Sequence, residues 1–245
     1  MRADVAIIGG TGVGSRLNEL GGTPIHIPTP YGMARGRLVS HVGVRLILLQ
    51  RHGIGHKTPP HGINYQAIAD AVRRLKVKAC FSTAATGGLR ADWPNGTMAV
   101  CHEFIDATAR NLTMFERDVV HTDFSEPFAE SARHYLLRAA EAAGVSVKDR
   151  AIYVNGNGPR YETPHEIELY RRIGGDVVGM TAATEAILMG ESGVPYACLA
   201  VVTNPGCGMA GQPLSHEEVV EQMEKSGADA VQVLLEAAKL AASAA

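Results

Sequence analysis

Short apolar runs that each end at a glycine-containing segment recur along the whole sequence, and this repetition constrains the fold more than any other feature. Runs so short and so free of polar residues are typical of strands that are buried on both faces of a sheet. Between them, capped segments with helical spacing begin at Tyr65, Thr163 and Ser215. The apolar runs are residues 5–8, 46–49, 79–81, 151–154, 177–178 and 196–202.

Alternating buried strands and helices predict an α/β fold, and we expect one domain over residues 1–245 with a mixed central β-sheet flanked by helices. Residues 37–49 alternate apolar and polar positions around Gly43, which predicts a local antiparallel hairpin. A further helix is predicted from Ser125 to Ala143, because Gly144 ends that run. We find no internal repeat and no linker-like tract, which favours a single domain.

Charge and cysteine content exclude several classes of function. Lys and Arg number 23 against 25 Asp and Glu, and a formal charge of −2 argues against a nucleic-acid partner. The four cysteines are scattered without C-x-x-C pairs, so neither a disulfide framework nor a zinc site is expected and a reducing cytoplasm is favoured. No apolar stretch approaches the roughly 20 residues of a membrane span, and no export signal is apparent. No membrane partner is expected.

The glycine-rich segments lie where ligands bind in open α/β sheets, outside the carboxyl ends of the strands. The first, Gly9-Gly10-Thr11-Gly12, has neither the acidic residue of a dinucleotide fingerprint about 20 positions later nor the lysine of a P-loop. It predicts either an anion cradle of backbone N–H groups and the Thr11 hydroxyl, or a purely structural turn.

Other strand ends carry side chains suited to an anion and a flat ligand. Arg51 and His52, with His56 close behind, offer donors to phosphate oxygens, although a surface arginine beside a capping histidine is the alternative. Small residues at 82–88 would let a ligand approach the backbone, or would serve helix packing instead. Met180 precedes Thr181 with Glu185 nearby, and a lone methionine more often fills a core.

Two segments suit recognition of a heteroaromatic base. Tyr161 could stack on a ring and Glu162 could accept its N–H donors, although this loop also contains a helix cap. Asn204 can donate and accept at a purine edge, although a lone asparagine more often makes a turn. His52 and His56 give only a weak metal signal, and no G-x-S-x-G elbow is present.

Taken in order, six motifs resemble the trimeric purine nucleoside phosphorylases, and within them the methylthioadenosine phosphorylase branch. The resemblance implies cleavage of a purine nucleoside by inorganic phosphate as co-substrate, with no metal and no organic cofactor, in a homotrimer. The motifs are IIGGTG (7–12), LLQRHGIGH (48–56), NYQA (64–67), NGPRYET (157–163), GMTAATEA (179–186) and VTNPG (202–206).

The resemblance also implies roles for individual residues. Asn204 and His52 are expected to be catalytic, Met180 to lie beneath the ribose, and Tyr161 to contact the base. Members often have a hydroxyl residue in place of Ala84, so only a main-chain contact is expected there. The expected phosphate-binding residues are Thr11, Arg51, His52, Ala84, Ala85 and Thr181, and the expected base-contacting triplet is Asn204, Pro205 and Gly206.

Departures from the adenine-specific branch predict the substrate. That branch reads the 6-amino group with an Asp-x-Asp pair, whereas this chain has Asn204-Pro205-Gly206, and Glu162 matches a glutamate of the 6-oxopurine enzymes. Because a mismatched buried hydrogen bond discriminates strongly, we expect a 6-oxopurine base. His216 matches the histidine of hydroxyl-preferring members, which favours inosine or guanosine. The GGTG, RHGIGH and NYQA motifs follow the methylthio branch and favour S-methyl-5′-thioinosine, the substrate we expect.

Other functions stay open on the sequence alone. They are a methylthioadenosine phosphorylase, a hydrolytic nucleosidase, a nicotinamide-dependent dehydrogenase and a non-catalytic purine-binding module. His121 aligns near a segment that reaches a neighbouring subunit in the family, and it could line the 5′ pocket there.

Overall fold

The computed structural model describes residues 2–53, 55, 57–211 and 213–244. These residues form nine strands and six α-helices. The strands are β1 (Val5–Gly9), β2 (Thr23–Thr29), β3 (Gly32–His41), β4 (Val44–Gln50), β5 (Ala79–Gly88), β6 (Met98–Asp106), β7 (Val147–Asn155), β8 (Val177–Gly179) and β9 (Tyr196–Pro205). The helices are α1 (Val13–Asn18), α2 (Tyr65–Leu75), α3 (Glu130–Ala143), α4 (Pro164–Arg172), α5 (Ala182–Glu191) and α6 (His216–Ser243).

The strands form one mixed sheet in the order β2-β3-β4-β1-β5-β8-β7-β6-β9. Strand β9 also pairs with β5, so β5, β8, β7, β6 and β9 close into a five-strand ring from which β1, β4, β3 and β2 extend. Pairing is parallel between β1 and both of its neighbours, and antiparallel between β5 and β8. The predicted α/β fold with a mixed central sheet flanked by helices is therefore confirmed.

Strand β1 is buried on both faces, and its alternate residues enter two different hydrophobic clusters. Ala6 and Ile8 pack in the cluster that contains residues of α2 and α5. Val5 and Ile7 pack in the cluster that contains residues of α1, α3 and α6. Since successive side chains of a strand point to opposite faces, this arrangement explains the continuous apolar sequence of the run.

Local signals in the sequence match the structure at several element ends. Strands β3 and β4 form the predicted antiparallel hairpin, with Gly43 at a φ of 80° in its turn. Thr163 and Glu166 form a complete capping box at the start of α4. The Ser215 side chain accepts a hydrogen bond from the backbone N–H of Glu218 at the start of α6.

Three predicted boundaries are wrong. Residues 82–88 belong to β5, because they pair with β9 through Gly88, and β9 likewise continues through Pro205. Helix α3 begins at Glu130 and not near Ser125, whose backbone and hydroxyl groups bond to Asp123 instead. The N–H of Ala129 bonds to the carbonyl of Tyr196, which holds the chain against the sheet just before the helix.

Within the ranges described above, no helix has both the length and the apolar character needed to cross a bilayer.

Gly10 allows the loop after β1 to approach β5 closely. Its N–H bonds to the Thr83 hydroxyl at 3.3 Å. A Cβ atom on Gly10 would lie 2.6 Å from the Thr83 carbonyl oxygen and 2.6 Å from Nη1 of Arg51, which is closer than real Cβ contacts. Glycine is therefore required here by the space available, whereas a Cβ on the nearby Gly14 would meet nothing closer than 3.7 Å.

We expect Gly10→Ala to destabilise the protein by about 1–3 kcal/mol, because the added methyl group is forced against backbone and a buried guanidinium. Gly14→Ala is the matched control inside α1, and it should stabilise the helix by about 0.5–1 kcal/mol. Chemical denaturation monitored by circular dichroism measures both changes. Equal midpoints for the two variants would show that the close approach at Gly10 is unimportant.

Candidate active site

A cavity of about 410 Å³ opens beside the C-terminal parts of the strands, and it gathers residues that are far apart in the sequence. All of the predicted site residues except Pro205 lie in its wall. They are Thr11, Arg51, His52, Ala84, Ala85, Tyr161, Glu162, Met180, Thr181, Asn204, Gly206 and His216.

Pro205 is the one predicted site residue outside the cavity lining, and its base contact stays a prediction. It is the last residue of β9, where it pairs with Gly88 of β5. Its neighbours Thr203, Asn204 and Gly206 all line the cavity. The Pro205 carbonyl still contributes indirectly, since it accepts a hydrogen bond of 2.9 Å from Nδ2 of Asn204.

Arg51 and Glu185 form a buried ion pair behind the cavity, with each side chain only 1% exposed. Nε and Nη2 of Arg51 donate to the two carboxylate oxygens at 2.7 and 2.8 Å. Burial by itself lowers the pKa of Arg51, but the attraction of the Glu185 carboxylate outweighs burial and raises the pKa above its ordinary value. The guanidinium is therefore charged at every physiological pH.

Hydrogen bonds to uncharged groups hold the ion pair in place. The Tyr196 hydroxyl donates to Oε2 of Glu185 at 2.6 Å and lies 2.7 Å from the Ser82 hydroxyl. Nη1 of Arg51 donates to the Thr83 carbonyl at 2.5 Å. Three of the five guanidinium hydrogens are thereby used, so Arg51 does not present its whole fork to a ligand as expected. One hydrogen on Nη1 and one on Nη2 remain.

His52 and Thr181 line the same cavity as Arg51. Nδ1 of His52 lies 2.8 Å from the Thr58 carbonyl, and because a carbonyl only accepts, Nδ1 carries the hydrogen. Thr181, the N-cap of α5, also lines the cavity, while the N–H groups of Thr181 and Ala182 donate to the Tyr153 hydroxyl at 3.3 and 3.4 Å. His56, which was expected beside His52, lies outside the described residues.

Asn204 and Glu162 also lie in the wall of the cavity. Oδ1 of Asn204 accepts from the Thr203 hydroxyl at 2.9 Å and Nδ2 donates one hydrogen to Pro205, which leaves one amide hydrogen. Glu162 is buried, and burial raises the pKa of its carboxyl group above the ordinary value. A Cβ on Gly156 would lie 2.7 Å from Oε1 of Glu162, so glycine there makes room for the carboxylate.

Several functional residues are not recoverable from the sequence motifs alone. Glu185 stands in the GMTAATEA motif, but its role depends on Arg51, which is 134 positions away. Its signal in the sequence is a carboxylate within an otherwise apolar helix, where an unpaired charge is unfavourable. Lys57, Thr86, Leu214 and Val219 also line the cavity without having been predicted to do so.

Among the residues that the structure describes, no three histidine, cysteine, aspartate or glutamate side chains are grouped so that they could hold a metal ion.

Comparisons with known proteins identify the family of this chain. A family model described as the phosphorylase superfamily matches residues 4–239. A probable S-methyl-5′-thioinosine phosphorylase of Methanopyrus kandleri is 39% identical over 233 residues, covering 94% of this chain and 90% of that protein. A 6-oxopurine nucleoside phosphorylase of Pyrococcus furiosus is 38% identical over 245 residues, covering 96% of this chain and 92% of that protein.

A solved structure shares the fold over nearly its full length. The methylthioadenosine phosphorylase of Schistosoma mansoni, in complex with adenine, superposes with a TM-score of 0.91 at 29% sequence identity. The superposition covers 98% of this chain and 92% of that one. With a family match that spans residues 4–239 and relatives that are similar from end to end, this chain is an enzyme that belongs to the phosphorylase superfamily.

Proposed function

We propose that this enzyme cleaves a 6-oxopurine nucleoside with inorganic phosphate, and that S-methyl-5′-thioinosine is the favoured substrate. The products are then hypoxanthine and S-methyl-5-thioribose 1-phosphate, as in purine salvage. The observation that carries the proposal is one cavity whose wall contains Asn204 and Glu162, which suit a base, together with Arg51, His52 and Thr181, which suit an anion. The relatives named as S-methyl-5′-thioinosine and 6-oxopurine nucleoside phosphorylases support it.

In the proposed reaction a phosphate oxygen bonds to the anomeric carbon as the glycosidic C–N bond breaks, and the purine leaves with the electron pair. Phosphate held beneath the sugar stabilises the positive charge that develops on the ribosyl group. Its proposed donors are the two remaining Arg51 hydrogens, the Thr11 and Thr181 hydroxyls and the ring of His52. Ala84 and Ala85 would contribute through their main chain. No metal and no organic cofactor are part of the proposal.

At the base end, the proposed role of Asn204 is to donate its remaining amide hydrogen to the purine edge, where negative charge builds as the bond breaks. Glu162 accepts the N1–H that hypoxanthine has and adenine lacks. Tyr161 provides an aromatic face for the ring. Gly206 leaves space beside the base. A Cβ atom added at this position would lie 3.0 Å from the Ile167 side chain.

The 5′ end of the nucleoside distinguishes two candidate substrates. Met180 is proposed to contact the ribose. The cavity wall also contains the apolar side chains of Leu214 and Val219, which suit a methylthio group. His216 lies in the same wall and supports inosine or guanosine as the alternative, because its ring can hydrogen-bond a 5′-hydroxyl.

We further propose that the enzyme works as a homotrimer in the cytoplasm. Val119 is 90% exposed and Val120 is 48% exposed, next to the exposed His121, and such an apolar segment suits burial against a second copy of the chain. His121 would then reach the 5′ pocket of the neighbouring subunit. All four cysteines are free thiols, which suits a reducing compartment.

Base release should depend on phosphate. We expect hypoxanthine to form from S-methyl-5′-thioinosine only when phosphate is present, with a higher kcat/KM than inosine or methylthioadenosine gives. Chromatographic assay of free base, with and without phosphate, measures this. Equal rates in the absence of phosphate would point to a hydrolytic nucleosidase and would reject the proposal.

The base preference should follow Glu162 and Asn204. We expect the double variant Glu162→Ser with Asn204→Asp to shift kcat/KM from hypoxanthine toward adenine nucleosides by about 100-fold or more, because the matched hydrogen bonds are replaced. Glu168→Ser on the exposed side of α4 is the control and should leave the ratio unchanged. A constant ratio in the double variant would mean that other residues read the base.

The pH profile should contain a contribution from Glu162. A raised pKa means that its carboxylate takes up a proton at a less acidic pH than an ordinary glutamate, and the neutral acid is a weaker acceptor for N1–H. We therefore expect the kcat/KM of the wild type to fall as the pH is lowered into this range. Glu162→Gln keeps an acceptor that does not titrate, so its acid limb should be shallower. Superimposable acid limbs would contradict the role of Glu162.

A further inference from the structure

Arg110 lies behind the cavity wall, in the segment that follows β6, and it contacts several elements at once. Nη1 donates to the Met180 carbonyl at 2.7 Å and to the Thr184 hydroxyl at 3.1 Å. Nη2 donates to the Asn157 carbonyl at 2.6 Å. The guanidinium also stacks over the ring of Tyr65, with its central carbon 5.4 Å from the ring centre, and lies 3.3 Å from the Tyr65 hydroxyl.

Three partners of the Arg110 guanidinium, Met180, Asn157 and Tyr65, lead to different parts of the cavity wall. Met180 itself lines the cavity. Asn157 begins the short loop that carries Tyr161 and Glu162 to the base end. The Tyr65 hydroxyl donates to the carbonyl of Pro60 at 3.0 Å, and Pro60 is a third part of the wall.

The interactions of Arg110 depend on the shape of the guanidinium. No carboxylate among the described residues pairs with it; its two short contacts are with carbonyl oxygens from two separate loops. Its Nε is buried and has no partner within the described part of the chain, which is an unfavourable arrangement that the other contacts must offset. A lysine has the charge but not the planar fork that reaches both carbonyls together.

We propose that Arg110 is a positioning residue for the nucleoside half of the site. It fixes the Met180 backbone and the 157–162 loop relative to one another, and so sets the distance between the ribose and the groups that read the base. The phosphate half depends instead on Arg51, which Glu185 holds separately. This inference rests on the proposed function and assigns a residue to one half of that site.

The two halves can be separated by kinetics. We expect Arg110→Met to raise the KM for the nucleoside by about 10- to 100-fold, since small displacements of a binding wall weaken productive binding strongly. The KM for phosphate should stay near the wild-type value, and Arg110→Lys should restore part of the loss. Arg90→Met is the matched control, because Arg90 also stacks on an aromatic ring, that of Trp93, and forms ion pairs with Asp92 and Asp176, which are not part of the cavity wall as described. Equal changes in both KM values, or none, would overturn the inference.

Hydrogen exchange of the free protein gives a readout that does not depend on the reaction. Arg110→Met should speed amide exchange in residues 157–162 and 178–181, while residues 46–50 of β4 keep their protection. If the wild type fails to cleave nucleosides with phosphate, the proposed function is rejected. Hydrogen exchange then still tests whether Arg110 fixes the Met180 backbone and residues 157–162. If Arg110→Met does not fold, Arg110→Lys and Tyr65→Phe, which removes only one partner, replace it. Unchanged exchange in the folded variants would overturn the inference.

Discussion

The buried ion pair between Arg51 and Glu185 is the interaction on which the site depends. Removing two charges from water is costly, and breaking such a pair from one side typically costs about 3–5 kcal/mol because a lone charge stays buried. The pair is tolerated because both carboxylate oxygens are matched by Arg51, and because Tyr196 and the Thr83 carbonyl complete the hydrogen bonding. These contacts join the end of β4 to α5, β9 and β5, so the anion-facing edge of Arg51 has one fixed position.

The closed ring of strands explains why residues of β5 and β9 line the same cavity. Strands β5 and β9 pair in parallel, which places Gly87 opposite Asn204 and Gly88 opposite Pro205. The register shifts between Thr86 and Gly87, an irregularity of the kind that redirects side chains near functional sites. The main chain around Ala84 and Ala85 is therefore directly next to the strand that carries Asn204, and a single small ligand can span both.

The sequence predicts the parts of this structure that local chemistry determines. The alternation of runs and caps is enough to find β1, α4 and the hairpin, and strand ends are enough to find most of the cavity wall. Residues 82–88 are misjudged because their small side chains resemble a loop, and only pairing with β9 makes them a strand. The pairing of Glu185 with Arg51 and the contacts of Arg110 are not predicted, because they join residues far apart along the chain. Pro205 lies outside the cavity lining while its motif neighbours Asn204 and Gly206 lie in it, a difference that a motif does not show.

The neutrality of the Arg51–Glu185 pair constrains how an anion can be held here. Because Glu185 offsets the charge of Arg51, attraction for the proposed phosphate would come mainly from oriented dipoles, namely two guanidinium hydrogens and the Thr11 and Thr181 hydroxyls. Fixed dipoles stabilise charge without net positive charge and without rearranging as the reaction proceeds. A site of this type is compatible with a chain whose formal charge is −2. Glycine is needed at position 10 for a related reason. A Cβ atom there would lie 2.6 Å from Nη1 of Arg51 and would displace the guanidinium.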